Sequence, residues 1–202
     1  MKRPVAVFLG LLLTIGGAVA INRAYCLSKL REGDLDAIRD MWICNIRGNH
    51  RDLLREELRS GPSPRARAIA AYAYPLWTPG LLDRIALRDG VSSIDPLVRA
   101  ACLDVVFNTV DEPWEVRREL ALARVGDQAM IPFDEPVFEA SISLKRLYLK
   151  MQSVAPQEPL TVGMLAAFLL AQELRESFGR GDWERLPKEA GEAWKKVKEI
   201  LK

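Results

Sequence analysis

The chain is poor in the residues from which metal sites and disulfide frameworks are built. It has one histidine, His50, and three cysteines, Cys26, Cys44 and Cys102, widely spaced and without a Cys-x-x-Cys pair. An odd, scattered set of thiols excludes the regular framework that staples small secreted domains. Tetrahedral zinc would need more histidine partners than His50 can supply. The cysteines read as small buried residues, and no metal or other cofactor is expected. An excess of one charge is missing too: 29 basic and 27 acidic residues leave a net charge of +2. Bulk electrostatics therefore gives no reason to expect a nucleic-acid partner. No stretch alternates with period two through β-branched residues, so no sheet is predicted. A Gly-x-Ser-x-Gly or comparable nucleophile motif is also lacking, so no catalytic residue is assigned and the chain is not read as an enzyme.

What is present begins at the amino terminus. Lys2 and Arg3 precede a 17-residue apolar run from Val5 to Ile21, which ends at Asn22 and Arg23. That length is at the short edge of what crosses a bilayer as a helix. Two readings fit. In one, the run is the core of a secretory signal, broken at Gly16-Gly17 and cleaved after Ala18-Val19-Ala20. In the other, the segment stays attached, and its helix continues through Ala24, Leu27 and Leu30 as a single-pass anchor. Ile21 is a bulky first residue for a mature chain, which favours the anchor. A lipidated Cys26 is excluded, because Arg23-Ala24-Tyr25 places a charge and a ring where such a site needs aliphatic and small residues.

Residues 1–31 are thus expected to be a membrane anchor or signal with a short extension, contacting the bilayer through 4–21, and 32–202 a separate helical domain. Lys2, Arg3 and the amino terminus outweigh the near-neutral stretch that follows and put the domain on the extracytoplasmic side. Counting only Arg23, Lys29 and Arg31 argues for the opposite. With cleavage after Ala20, the domain would be secreted or periplasmic.

Prolines organise the remainder. Ser63-Pro64, Thr78-Pro79, Asp95-Pro96, Glu112-Pro113, Glu135-Pro136 and Glu158-Pro159 each open an apolar-periodic segment. Proline suits the first turn of a helix, where its missing N–H has no partner anyway, and Ser, Thr or Asp before it accepts from the free amides. Glutamate there favours the positive end of the helix dipole. Upstream helices follow from Leu35, Ile38, Trp42 and Ile46 and from Leu53, Leu54 and Leu58. A last one, from Asp182, is expected to cap the domain through Trp194, Val197 and Leu201. This makes about nine helices of ordinary length. Leu160 to Ala171 is almost wholly apolar but too short to span a bilayer, so it is expected to be a central core helix.

Two segments align without gaps: Ser63-Pro64-Arg65-Ala66-Arg67-Ala68-Ile69-Ala70 and Asp95-Pro96-Leu97-Val98-Arg99-Ala100-Ala101-Cys102. Each follows a shorter amphipathic segment with a Leu-Leu pair, Leu53-Leu54 or Leu81-Leu82. The unit, helix-turn-helix, repeats at a shift of 32 residues. Leu81 to Asp89 followed by Asp95-Pro96-Leu97-Val98-Arg99-Ala100-Ala101 resembles the HEAT repeat family, with its leucine-rich first helix and a second opening Asp-Pro-x-Val-Arg. His50 to Pro75 is a fair second copy, and Pro113 to Val154 a degenerate third with Phe138-Glu139 at the matching place. The resemblance implies an all-α fold, a short right-handed α-solenoid of antiparallel helix pairs behind the N-terminal hydrophobic helix. It also implies structural roles for Asp95 and Arg99, and a binding surface instead of a reaction.

The expected function is accordingly a non-catalytic scaffold or protein–protein interaction module, tethered or exported, whose partner is another membrane or envelope protein. Two alternatives stand beside it. A helical-repeat enzyme or maturation factor would gather Arg67, Arg99 and His50 in one groove around a small molecule. A membrane-surface binder would use the basic row Arg47, Arg51, Arg55 and Arg59 on lipid head groups. Asp52, Glu56 and Glu57 interleave with that row and offer local neutralisation. Asp111-Glu112 and Asp134-Glu135 precede helix-opening prolines and read as caps.

Overall fold

The computed structural model describes residues 3–43, 51–74, 79–108, 110–177 and 195; among these, the side chains of 3–16, 19, 41–43, 154 and 174–177 are not described. Among the described residues the chain is all helical. Its elements are α1 (Arg3–Glu32), α2 (Asp36–Ile43), α3 (Arg51–Ser60), α4 (Pro64–Ala73), α5 (Leu81–Gly90), α6 (Pro96–Asn108), α7 (Trp114–Leu122), α8 (Glu135–Ala140), α9 (Ile142–Val154) and α10 (Val162–Ser177). The only β pairing among them is an isolated bridge between Met130 and Thr161. The helix expected from Asp182 lies outside the described residues.

Local chemistry explains where these helices start. Ser63 sits in extended backbone before Pro64, and its hydroxyl accepts from the Ala66 amide at 3.1 Å. Asp95 does the same for α6 through the Leu97 amide at 3.0 Å. For α8 the cap is Asp134, not Glu135, because the shorter side chain reaches the Val137 amide. Pro79 and Pro159 stand two or three residues ahead of α5 and α10. Gly80 and Thr161 open those helices, with the Thr161 hydroxyl accepting from Met164. The segment expected to run from Pro136 as one helix divides at Ser141, whose hydroxyl caps α9 through Leu144 at 2.9 Å.

α3 packs on α4 and α5 on α6, while α3 meets α5 and α4 meets α6. The next partner of α6 is α10, which also packs on α7. The α10 stripe is the most apolar layer of the core: Leu160 and Val162 through Ala171, Gly163 excepted, contribute buried hydrophobic side chains throughout. Between α7 and α10 the chain makes an excursion. It departs and returns at one place, where the Ile131 amide donates to Leu160 O at 2.8 Å and the Val162 amide to Ala129 O at 3.1 Å. Gly163 completes that base by donating to Asp127 O at 2.9 Å, and a Cβ there would collide with the Val125 carbonyl. Within the excursion, α8 packs on α4 and α9, and α9 packs on α10.

The long first helix belongs to both ends of the molecule. α1 continues unbroken through Gly16-Gly17, and its last third joins the core, with Cys26 and Leu30 both at 0% exposure. Arg23 pairs with Asp52 at 2.6 Å and Arg31 with Glu57 at 3.0 Å, both on α3. Gly33 ends the helix at φ 71°, a conformation that needs glycine, and a Cβ there would run into the Arg65 side chain. Among the described residues no helix is long and apolar enough to cross a membrane. In side-chain detail, most of the run 5–21 lies outside them.

Candidate functional site

The basic row is turned towards its neighbouring helix. Arg47 and His50 lie outside the described residues. Arg55 Nη1 donates to Asp83 Oδ1 at 2.5 Å, Arg51 Nε approaches Asp83 Oδ2 at 4.0 Å, and Arg59 Nη2 stands 3.9 Å from Asp89. Asp83 is buried on α5, and its other oxygen accepts from the Gly80 amide at 2.8 Å. The row therefore joins α3 to α5, and Arg59, about half exposed, is its most open described member. A side chain held in this way cannot reach a phosphate head group without giving up a partner of its own.

A second set of pairs joins α4, α6 and the start of the excursion. Arg67 stands 4.0 Å from Asp95, and Arg99 pairs with Asp127 at 2.9 Å. Arg99 Nη1 also donates to Ser93 O at 2.7 Å and Ile94 O at 2.9 Å, closing the turn before its own helix. Asp127 repeats the behaviour of Asp95, accepting from the amide two residues on, that of Ala129, at 3.0 Å. Arg67 and Arg99 are spent on this ladder. Neither lines either of the cavities described next.

An apolar cavity of about 270 Å³ lies on the excursion, lined by Met130, Pro132, Phe133, Tyr148, Met151 and Leu160 among others. Its wall is an aromatic cluster: Phe133 stacks on Tyr148 at 4.8 Å between ring centres, and Phe138 meets Tyr148 edge-on at 5.1 Å. Phe138 is buried, whereas Phe133 and Met130 are 57% and 61% exposed. Gln152 and Glu158 are its polar members. Such a site can hold a ring or an aliphatic side chain. The sequence carries its signal as local density, three rings between positions 133 and 148 in a chain that is 7% aromatic.

Beneath the excursion lies a polar cluster. Asp104, 4% exposed on α6, accepts from Tyr72 Oη at 3.1 Å, Ser141 Oγ at 2.6 Å and Asn108 Nδ2 at 2.6 Å. Asn108 also donates to Ser143 Oγ at 3.0 Å. Burial pushes the Asp104 carboxyl up from its ordinary range, against the opposing effect of these donors. The Tyr72 phenol is pushed up as well, first by burial and then by the adjacent carboxylate. Asn108 also lines a second cavity of about 310 Å³, with Phe107, Val110, Asp111, Glu112 and Arg117. Among the described residues no group of three or more His, Cys, Asp or Glu is placed to hold a metal. The chain matches no known protein family, no curated protein and no solved structure.

Proposed function

We propose that this protein is a membrane-tethered interaction module: a short α-solenoid that binds another protein without catalysing a reaction. The pairs α3–α4, α5–α6 and α7–α10 act as successive repeats, and the arginine–aspartate ladder joins one layer to the next. On this reading the excursion between α7 and α10 is an insertion in the third repeat. The run 5–21 is an uncleaved anchor, a reading supported by a helix that continues from it into the core. The domain faces the extracytoplasmic side, as Lys2 and Arg3 favour.

The observation that carries the binding reading is the solvent-open aromatic cavity. Phe133 and Met130 leave apolar surface in water beside a formed recess, an arrangement that folding alone does not require. A photo-crosslinking residue at Phe133, in the full-length chain expressed in cells, is expected to give one discrete adduct with a membrane or envelope protein. The same probe at exposed Arg118 serves as the control, and equal labelling from both positions sinks the proposal. N-terminal sequencing of the membrane fraction tests the tether in the same cells. A mature chain beginning at Ile21 would refute it.

A further inference from the structure

The excursion has the build of a moving part. Its two ends meet at the Met130–Thr161 bridge, so residues 132–159 leave and rejoin the body at one place, and they are held down by the packing of α8 on α4 and of α9 on α10 and by the Arg65–Asp134 pair at 2.7 Å. Its underside is apolar, with Val137, Phe138, Leu144 and Leu147 all buried. Yet the surface that it covers includes Asp104 and Tyr72, joined to Ser141 at the α8–α9 junction. A permanently covered helical surface gains nothing from an ionisable carboxyl, whereas a surface that meets water part of the time tolerates one.

The donors around Asp104 are all neutral. Of the groups that face it, Tyr72 comes from α4, Asn108 from α6 itself, and Ser141 and Ser143 from the α8–α9 segment; only Tyr72 titrates. Charged residues of α6 and of the elements packed on it form other pairs: Arg65 with Asp134 and Arg67 with Asp95 from α4, Arg88 with Glu112 from α5, Arg99 with Asp127 from α6 itself, and Arg117 with Glu173 from α7 and α10. From Val162 to Ala171, Gly163 apart, α10 brings apolar side chains. Among the described residues no cation offsets the loss of water around the carboxylate when α8–α9 is in place.

We propose that α8–α9 is a lid hinged at the Met130–Thr161 bridge, and that the carboxylate of Asp104 beneath it keeps the lid able to open at neutral pH. The closed lid raises the affinity of Asp104 for its proton, so closure is fully supported in acid and weakens as pH rises through the carboxyl's raised titration range. Asp104 is thus a spring, and Tyr72 and Ser141 restrain it.

Amide hydrogen exchange on the full-length chain, read as protection factors in α8–α9 against those in α3–α6, tests this. Asp104→Asn is expected to raise protection in α8–α9 by roughly fivefold or more at neutral pH, the scale on which relief of a buried charge acts. It should also abolish the decline of that protection with rising pH. Tyr72→Phe removes a donor but leaves the charge, and is expected to lower protection in the same segment. A latch predicts that both substitutions loosen the lid, so loosening by Asp104→Asn overturns the proposal. An unchanged lid, or an equal change throughout α3–α6, overturns it as well. If Asp104→Asn fails to fold, the wild-type pH series decides, because protection in α8–α9 that does not fall with pH relative to α3–α6 excludes the spring.

Discussion

Arg55→Met lowers the stability of the folded domain by about 3–5 kcal/mol, the usual effect of stranding a buried charge, and Asp83→Leu lowers it by less. The asymmetry follows from where the two ends of the pair lie. The Asp83 side chain is 2% exposed and cannot recover water once Arg55 is gone, while Arg51, its other ion-pair partner, stands at 4.0 Å where Arg55 stands at 2.5 Å. The Arg55 side chain is 24% exposed and can turn outwards when Asp83 is removed. Asp83→Leu then forfeits chiefly the bond from the Gly80 amide, at about 1–2 kcal/mol. Urea unfolding of the two single variants and the double variant checks this, and the double is expected to match Asp83→Leu. Equal losses from the two single variants would show that the pair has no buried side.

Leu30→Ala is expected to cost about 2–5 kcal/mol, the range for emptying a closed core position. Leu30 is fully buried although it lies on the helix that begins in the apolar leader. The corresponding truncation is harsher. A fragment beginning at Asp34 loses Leu30, Cys26 and the pairs to Asp52 and Glu57, whereas one beginning at Ile21 keeps them all. The shorter fragment should unfold at a clearly lower urea concentration or remain unfolded. Identical midpoints for the two fragments would separate α1 from the domain.

That boundary shows how far sequence reasoning reaches. Proline placement finds the starts of α4, α6 and α8 directly and those of α5, α7 and α10 within three residues. Nothing in the composition around Arg23 to Glu32 says that this part of α1 packs into the core, because Cys26 and Leu30 would fit an anchor's extension equally well. The excursion was hidden for a different reason. Ser63, Asp95 and Asp127 stand 32 residues apart, and on the proposed reading Asp127 opens a third unit whose second helix is α10, which begins only at Val162. Pro136 starts a helix in between, where Phe138 packs in the aromatic cluster. The cavity depends on that intervening segment, and the Asp104 cluster depends on the start of α9 at Ser141, where no proline marks the division. The arginine row was legible as a row. Its direction was not, since Asp83 lies 28 residues beyond Arg55 and meets it only when α3 packs on α5.

The unbroken course of α1 also bears on how such a domain would find a partner. Flexible tethers let a module sweep a volume set by linker length, trading local concentration for reach. Here the helix from Asn22 to Glu32 rises about 1.5 Å per residue and is packed along its side, so there is no slack to trade. With residues 5–21 held in a bilayer, the aromatic recess would keep a fixed height and a fixed bearing relative to the lipid plane. Encounter would then be a search in two dimensions, selective for partners that carry their own recognition segment at the same level.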